Sequence, residues 1–304
     1  MRAAAPGKLV LSGAYSVLEG APALVTAVSR YAVADTGRCA NVVTDEVAAA
    51  IAAGELDRAP WFDASALREE KRAGAGRKLG LGSSAAILVA SLGAVWLERG
   101  TAPAQLGKAV FVAALAAHRH AQGGGSGIDV AASCYGGVLC CEMEPRSGRL
   151  DVRPHGLPPG LVCEVWAAPE SAATRDMLAA VQRLRRARRA LYRARIETAA
   201  EAARAAAQAR RASDLVGALD LQFQALAALG EAAGAAIAGP AYGELRALAA
   251  REGAAFGPSG AGGGDVSLFI GQRTASSRFR ARARAAGLSP VSLRLGAEGV
   301  HPLP

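Results

Sequence analysis

Three glycine-rich stretches carry the side chains best suited to chemistry. The first, Lys78-Leu79-Gly80-Leu81-Gly82-Ser83-Ser84-Ala85-Ala86, runs directly into an apolar segment. Glycines let a backbone curl so that successive N–H groups converge on one anion. A helix starting at Ser83 would add the positive end of its dipole to the same place. Ser83 and Ser84 can donate to phosphate oxygens or give an oxygen to Mg²⁺, which prefers hard ligands. The stretch lacks the Gly-Lys-Ser/Thr ending of a P-loop and the spacing of a dinucleotide fingerprint. An ordinary helix cap at Ser83 or Ser84 fits the same residues. The second stretch, Gly123-Gly124-Gly125-Ser126-Gly127-Ile128-Asp129, ends on a carboxylate that would serve either as a helix cap or as a reacting group. The third, Gly257-Pro258-Ser259-Gly260-Ala261-Gly262-Gly263-Gly264-Asp265, is too dense in glycine for a routine turn and implies close backbone approach.

The elements that must hold these loops follow from periodicity and punctuation. Strands are expected at Lys8–Ser12 and Pro22–Tyr31. Val42–Thr44 is β-branched, and an alanine-rich piece follows it. A buried helix is expected over Ala85–Arg99, another over Ala104–Gln122 stopped by Gly123, and a short one from Asp129 to Cys134. A strand at Val138–Met143 precedes the Pro-rich 154–159 stretch, which places a boundary between domains 1–158 and 159–304. Beyond it the pattern predicts a strand at Leu161–Ala167, a long helical region from Thr174 to about Arg211 and a helical stretch at Asp214–Ala238. A helix at Tyr242–Glu252, strand Val266–Ile270, helix Ser276–Ala286 and strand Ser289–Leu295 close the chain. Strands and helices mix through both halves, so the fold class is α+β.

Composition narrows the function classes. With 304 residues, 51% hydrophobic and 20% charged, the chain has the profile of a soluble globular protein. Ala85–Leu97 is too short to span a bilayer, and the first residues show no secretory signal, so no membrane association and a cytoplasmic location are expected. Cys39, Cys134, Cys140, Cys141 and Cys163 form no C-x-x-C pair and read as reduced, mostly packed thiols. The net charge of +9 invites a nucleic-acid partner. However, the excess clusters in Arg183–Arg195 without aromatic platforms, so no nucleic acid is expected and Arg185–Arg189 read as a solvated face.

The three stretches, taken in order with Pro6-Gly7-Lys8 and Gly13-Ala14-Tyr15, resemble the ordered motifs of the GHMP kinases over residues 5–265. Ala117-His118-Arg119-His120-Ala121-Gln122-Gly123, continuing through Ser126-Gly127-Ile128-Asp129-Val130-Ala131, is similar to the pattern of the phosphomevalonate kinase branch. Trp166 with Ala172–Met177 resembles a further motif ending in Thr174-Arg175. Two positions depart: Ala14 stands where many members have Glu, and Ala173 where a serine is usual. The segment between Arg38 and Lys78 is also compact.

The resemblance implies a two-domain GHMP fold, with a ribosomal-protein-like N-terminal domain and a ferredoxin-like C-terminal domain. It implies ATP-dependent phosphoryl transfer to phosphomevalonate with Mg²⁺, and mevalonate kinase or another alcohol kinase as the alternative. A sensor that had lost catalysis is disfavoured by the joint retention of Lys8, Ser84 and Asp129. Lys8 and Asp129 are implied at the reacting centre, and Lys78, Gly80, Leu81, Gly82, Ser83, Ser84 and Ala85 at the ATP phosphates, with Ser84 also on the metal. Tyr15, His118, Ser126, Gly127, Arg175, Ser259 and Gly260 are implied at the substrate. In mevalonate kinases a metal-binding Glu occupies the place that falls here to His118, which lowers repulsion of an anionic acceptor. A phosphate acceptor arrives largely ionised, so the loss in Asp129→Asn is expected to be modest at pH 8 and larger near pH 5.5. Oligomeric state, monomer or homodimer, stays open.

Overall fold

The computed structural model describes residues 1–69, 77–169, 174–239 and 241–304, without the side chains of Thr174 and Arg175. The chain runs β1 (Arg2–Ser12), β2 (Pro22–Asp35), α1 (Asp45–Ala52), β3 (Trp61–Asp63), α2 (Ser83–Glu98), α3 (Leu106–Gln122) and α4 (Ile128–Tyr135). It continues with β4 (Val138–Met143), β5 (Leu150–Pro154), β6 (Val162–Ala167), α5 (Thr174–Ala187), α6 (Arg189–Gln208) and α7 (Ala212–Ala233). Helix α8 (Tyr242–Arg251), β7 (Ala255–Pro258), β8 (Val266–Gly271), α9 (Ser277–Ala285), β9 (Ser289–Val291) and β10 (His301–Leu303) complete it.

One sheet has the order β10-β1-β2-β4-β5, with β3 on the far part of β2. The other is an antiparallel set ordered β7-β8-β6-β9. The last strand returns to pair with β1, joining Arg2 to Leu303, so the chain's two ends share one sheet. Helix α2 is apolar on every side, and Leu88, Leu92 and Ala90 are fully buried between β1, β2 and α3. That burial fixes its N-terminus, the end that matters for the site.

Several expectations change. The helical region from Thr174 breaks at Arg188, whose non-helical φ −138 and ψ 61 separate α5 from α6. The ambiguous β-branched piece Val42–Thr44 leads into α1, where the Thr44 hydroxyl accepts from the Val47 amide at 3.3 Å as the cap. Pro154 ends a strand, β5, that period-2 reading missed in a short polar sequence. The third glycine stretch begins as β7, and the strand expected over Ser289–Leu295 is only Ser289–Val291. Cys134, Cys140 and Cys141 are buried, and all five thiols are free.

Candidate active site

Strand β1 organises the site. Its pairing with β2 shifts register between Pro6 and Gly7, a bulge at a residue that has no N–H to give. Just beyond it the Lys8 amide donates to the Leu81 carbonyl at 2.8 Å, tying β1 to the first glycine loop. Gly7 cannot carry a side chain here, because a Cβ would lie 2.7 Å from that same carbonyl oxygen. The Lys8 ammonium donates to the Gly80 carbonyl at 3.0 Å. Gly82, the residue before α2, has φ 74, and a Cβ on it would meet Lys8 Cγ at 3.0 Å and Cε at 3.1 Å. The motifs around Lys8 and Gly82 are therefore parts of one interlocked structure.

The first turn of α2 offers amides that an α-helix leaves without internal partners. Ser83 and Ser84 are half-buried there and line a cleft of about 960 Å³. The cleft is walled by Asn41–Glu46 and Phe62–Ala66, with exposed Lys78 at its rim. Leu81 and Ala85 are buried, so they can contribute only backbone groups. Gly80 lies against the Asp265 side chain, which would collide with any Cβ at that position.

Asp129 reaches the centre from α4. The Ser133 hydroxyl donates to the Pro6 carbonyl at 2.8 Å and holds that helix against β1. Arg119 fixes the preceding glycine loop by donating to the carbonyls of Gly125 at 3.1 Å, Ser126 at 2.9 Å and Gly148 at 2.7 Å. Gly123, Gly124 and Gly125 have φ of 69, 123 and 117 with open space beside them, so they are needed for backbone shape rather than close approach. Gly127, at φ 80, begins α4 with Leu115 packed where its Cβ would be.

The electrostatics couple these groups. Asp129 Oδ1 accepts from the Val130 amide at 3.0 Å, and Oδ2 lies 3.3 Å from His118 Nε2. Burial alone would raise the Asp129 carboxyl; the His118 charge and hydrogen bond, Lys8 and the Val130 amide outweigh it and bring it down to about 2. Burial pushes the Lys8 ammonium below its ordinary value, against the pull of Asp129 and Asp265. For His118 the balance runs the other way. Burial lowers it, but Asp129 and Glu46 prevail over that and over Arg119, and the imidazole is raised.

The third stretch closes on β1. The Ser259 hydroxyl accepts from the Val10 amide at 3.0 Å and donates to the Val10 carbonyl at 3.1 Å, so its proton is committed to the strand. A Cβ on Gly260 would stand 4.0 Å from Lys8 Nζ and 3.7 Å from Val10 Cγ2, so its bare backbone faces the ammonium. The Tyr15 hydroxyl donates to the Ala261 carbonyl at 2.7 Å, although Tyr15 sits at φ 62, a backbone region costly for a bulky residue. Gly257 and Gly262 fit closely against Phe223 and the Ile237 carbonyl, so part of the glycine density serves the protein's own packing.

Lys8, Gly80, Gly82, Asp129, His118 and Gly260 thus meet around one point, with Ser83 and Ser84 on the adjoining cleft. Ser126 sits on the loop that Arg119 clamps, its carbonyl turned to that guanidinium. The side chain of Arg175 lies outside the described residues. Sequence reasoning missed Glu46 and left Asp265 without a role. Glu46 follows a Thr cap on α1 and is 4% exposed, and only the packing of α1 on α3 brings it to His118.

No protein-family model matches the chain. It is similar to the phosphomevalonate kinase of Streptomyces sp. (strain CL190), 29% identical over 369 aligned positions that cover 97% of each protein. Among solved structures it superposes on Streptococcus pneumoniae phosphomevalonate kinase in complex with phosphomevalonate and AMPPNP. That match has a TM-score of 0.73 at 17% identity, covering 97% of this chain and 99% of the other. It also matches L. major mevalonate kinase in complex with R-mevalonate, with a TM-score of 0.63 at 16% identity over 94% and 90% of the two chains.

Proposed function

We propose that this chain, a phosphotransferase with the GHMP kinase fold, transfers the γ-phosphoryl group of ATP to phosphomevalonate and releases diphosphomevalonate and ADP. The observation that carries the reading is the meeting of the Lys8 ammonium, the Asp129 carboxylate and the free N-terminus of α2, with the imidazole of His118 on Asp129. The nucleotide lies in the 960 Å³ cleft with its phosphates on the amides of Gly82, Ser83, Ser84 and Ala85. Lys8 neutralises charge on the transferring group, and Gly260 faces it from the other side.

Ser84 gives a single hard oxygen to the cleft, and no cluster of three or more His, Cys, Asp or Glu suited to a metal occurs among the described residues. That donor set fits Mg²⁺, which keeps waters and takes most remaining ligands from nucleotide phosphates. Bound there with ATP, Mg²⁺ would neutralise charge across the β- and γ-phosphates.

An oxygen of the acceptor phosphate attacks the γ-phosphorus, the bond to the β,γ-bridging oxygen breaks, and ADP departs with that oxygen. A carboxylate at about 2 is a weak proton acceptor, so Asp129 serves Lys8 and His118 rather than the acceptor's proton. Asp129 and Glu46 favour the protonated imidazole of His118, and a cation beside Asp129 would suit a phosphorylated acceptor better than an alcohol. An ADP-release assay over phosphomevalonate, mevalonate, homoserine and galactose tests this. Turnover restricted to phosphomevalonate is expected; preference for another acceptor, or none at all, overturns it.

A further inference from the structure

Glu46 is a buried carboxylate to which the proposed reaction gives no task. It lies on α1 at 4% exposure, on the wall of the cleft that holds Ser83 and Ser84. Gln122 Nε2 donates to Glu46 Oε1 at 2.5 Å. Gln122 and His118 are four residues apart on α3, so they share the face that packs on α1. His118 Nε2 meets Asp129 Oδ2 at 3.3 Å, while His118 Nδ1 is buried without a hydrogen-bond partner. A carboxylate from α4 thus touches the imidazole, and one from α1 touches Gln122 one turn further along the same face of α3.

We propose that Glu46 is a positioning residue for phosphoryl transfer: anchored by Gln122, it holds His118 as a cation between the nucleotide cleft and Asp129. The inference deepens the phosphomevalonate reading and rests on it for its kinetic consequence. The charged groups facing His118 are Asp129 from α4, Glu46 from α1 and Arg119 from its own helix, with Lys8 beyond Asp129. The two carboxylates favour the imidazolium and Arg119 opposes it. Removing the Glu46 charge leaves Asp129 alone to offset burial, and the imidazole then loses its proton at lower pH. An anionic acceptor would lose a nearby cation over that same interval.

The chain has only four histidines, so His118 can be followed by heteronuclear NMR on histidine-labelled protein, with its signal assigned by loss in His118→Gln. Glu46→Gln keeps the side-chain size and can still meet Gln122. Its His118 proton-dissociation constant should rise roughly threefold or more, as expected for removing a nearby part-buried charge. In kinetic assays the KM for phosphomevalonate should climb with pH in both proteins, and should begin to climb at lower pH in Glu46→Gln. An unchanged His118 titration in a folded Glu46→Gln overturns the proposal. A shifted titration with an unchanged pH profile of that KM overturns the positioning role. If the wild-type protein fails to turn over phosphomevalonate, the acceptor assignment falls, while the titration still decides whether Glu46 holds the imidazolium.

Discussion

Replacing Asp129 by Asn separates a proton-accepting role from an electrostatic one. The amide preserves size and can still accept from the Val130 amide, now at 3.0 Å, but it carries no charge for Lys8 or His118. A phosphomonoester has a second pKa of about 6. Moving that proton to a carboxylate at about 2 is uphill by about four pKa units, or ~5 kcal/mol at 1.36 kcal/mol per unit. Proton transfer to Asp129 is therefore a poor route, and the residue's value lies in the two cations it keeps in place. In Asp129→Asn the imidazole loses its chief anionic neighbour and becomes neutral at lower pH. With the Asp129 charge gone, burial and Arg119 are opposed by Glu46 alone, so the charge that separates the two proteins is lost first toward high pH. Losing a charged contact costs on the order of 1.5–3 kcal/mol, about tenfold to a hundredfold in rate. With phosphomevalonate, kcat/KM should thus fall about tenfold to a hundredfold at pH 8 and by less at pH 5.5. The sequence alone suggests the opposite trend, because it does not show the His118 contact. Steady-state ADP release at both pH values, with circular dichroism to verify folding, decides the matter. A loss that grows toward pH 5.5, or one beyond about a thousandfold at pH 8, would refute the reasoning and make Asp129 the proton acceptor.

A folded Lys8→Met variant should lose roughly a thousandfold or more in kcat. Its denaturant midpoint should hold or rise, since a cation that burial disfavours has been removed. Gly82→Ala should both lower kcat and destabilise the fold by about 1–2 kcal/mol, because φ 74 is strained for alanine and its methyl would press on Lys8 Cγ and Cε; urea titration alongside turnover measures both effects. Arg175→Ala should raise the KM for phosphomevalonate far more than that for ATP, as expected of a guanidinium on the acceptor phosphate. Equal movement of the two constants in steady-state kinetics would remove Arg175 from the acceptor site.

The sequence by itself determined the parts that depend on local backbone freedom and charge. Gly80, Gly82 and Gly127 mark left-handed backbone that a side chain would strain, and an apolar helix after Ser83 must be buried, which leaves its N-terminus at the loop. Lys8 and Asp129 stood out through the resemblance of their motifs to those of the GHMP kinases; taken alone, an Asp after glycines reads as readily as a helix cap. Tertiary structure alone decided what those residues touch. Nothing local requires Ser259 to spend its hydroxyl on Val10, 249 positions away, or Tyr15 to reach Ala261. Strand β10 joins the N-terminal sheet through pairing across almost the whole chain, and three residues with no alternating pattern give no local sign of it. Glu46 and His118 lie on helices far apart in sequence, one with an ordinary Thr cap and the other with ordinary helical spacing. Periodicity reports which face of a helix is buried; it carries no information about which other helix that face will meet. The ionisation of Asp129 and His118 depends on that meeting, because Coulombic coupling grows only when packing brings charges together away from water.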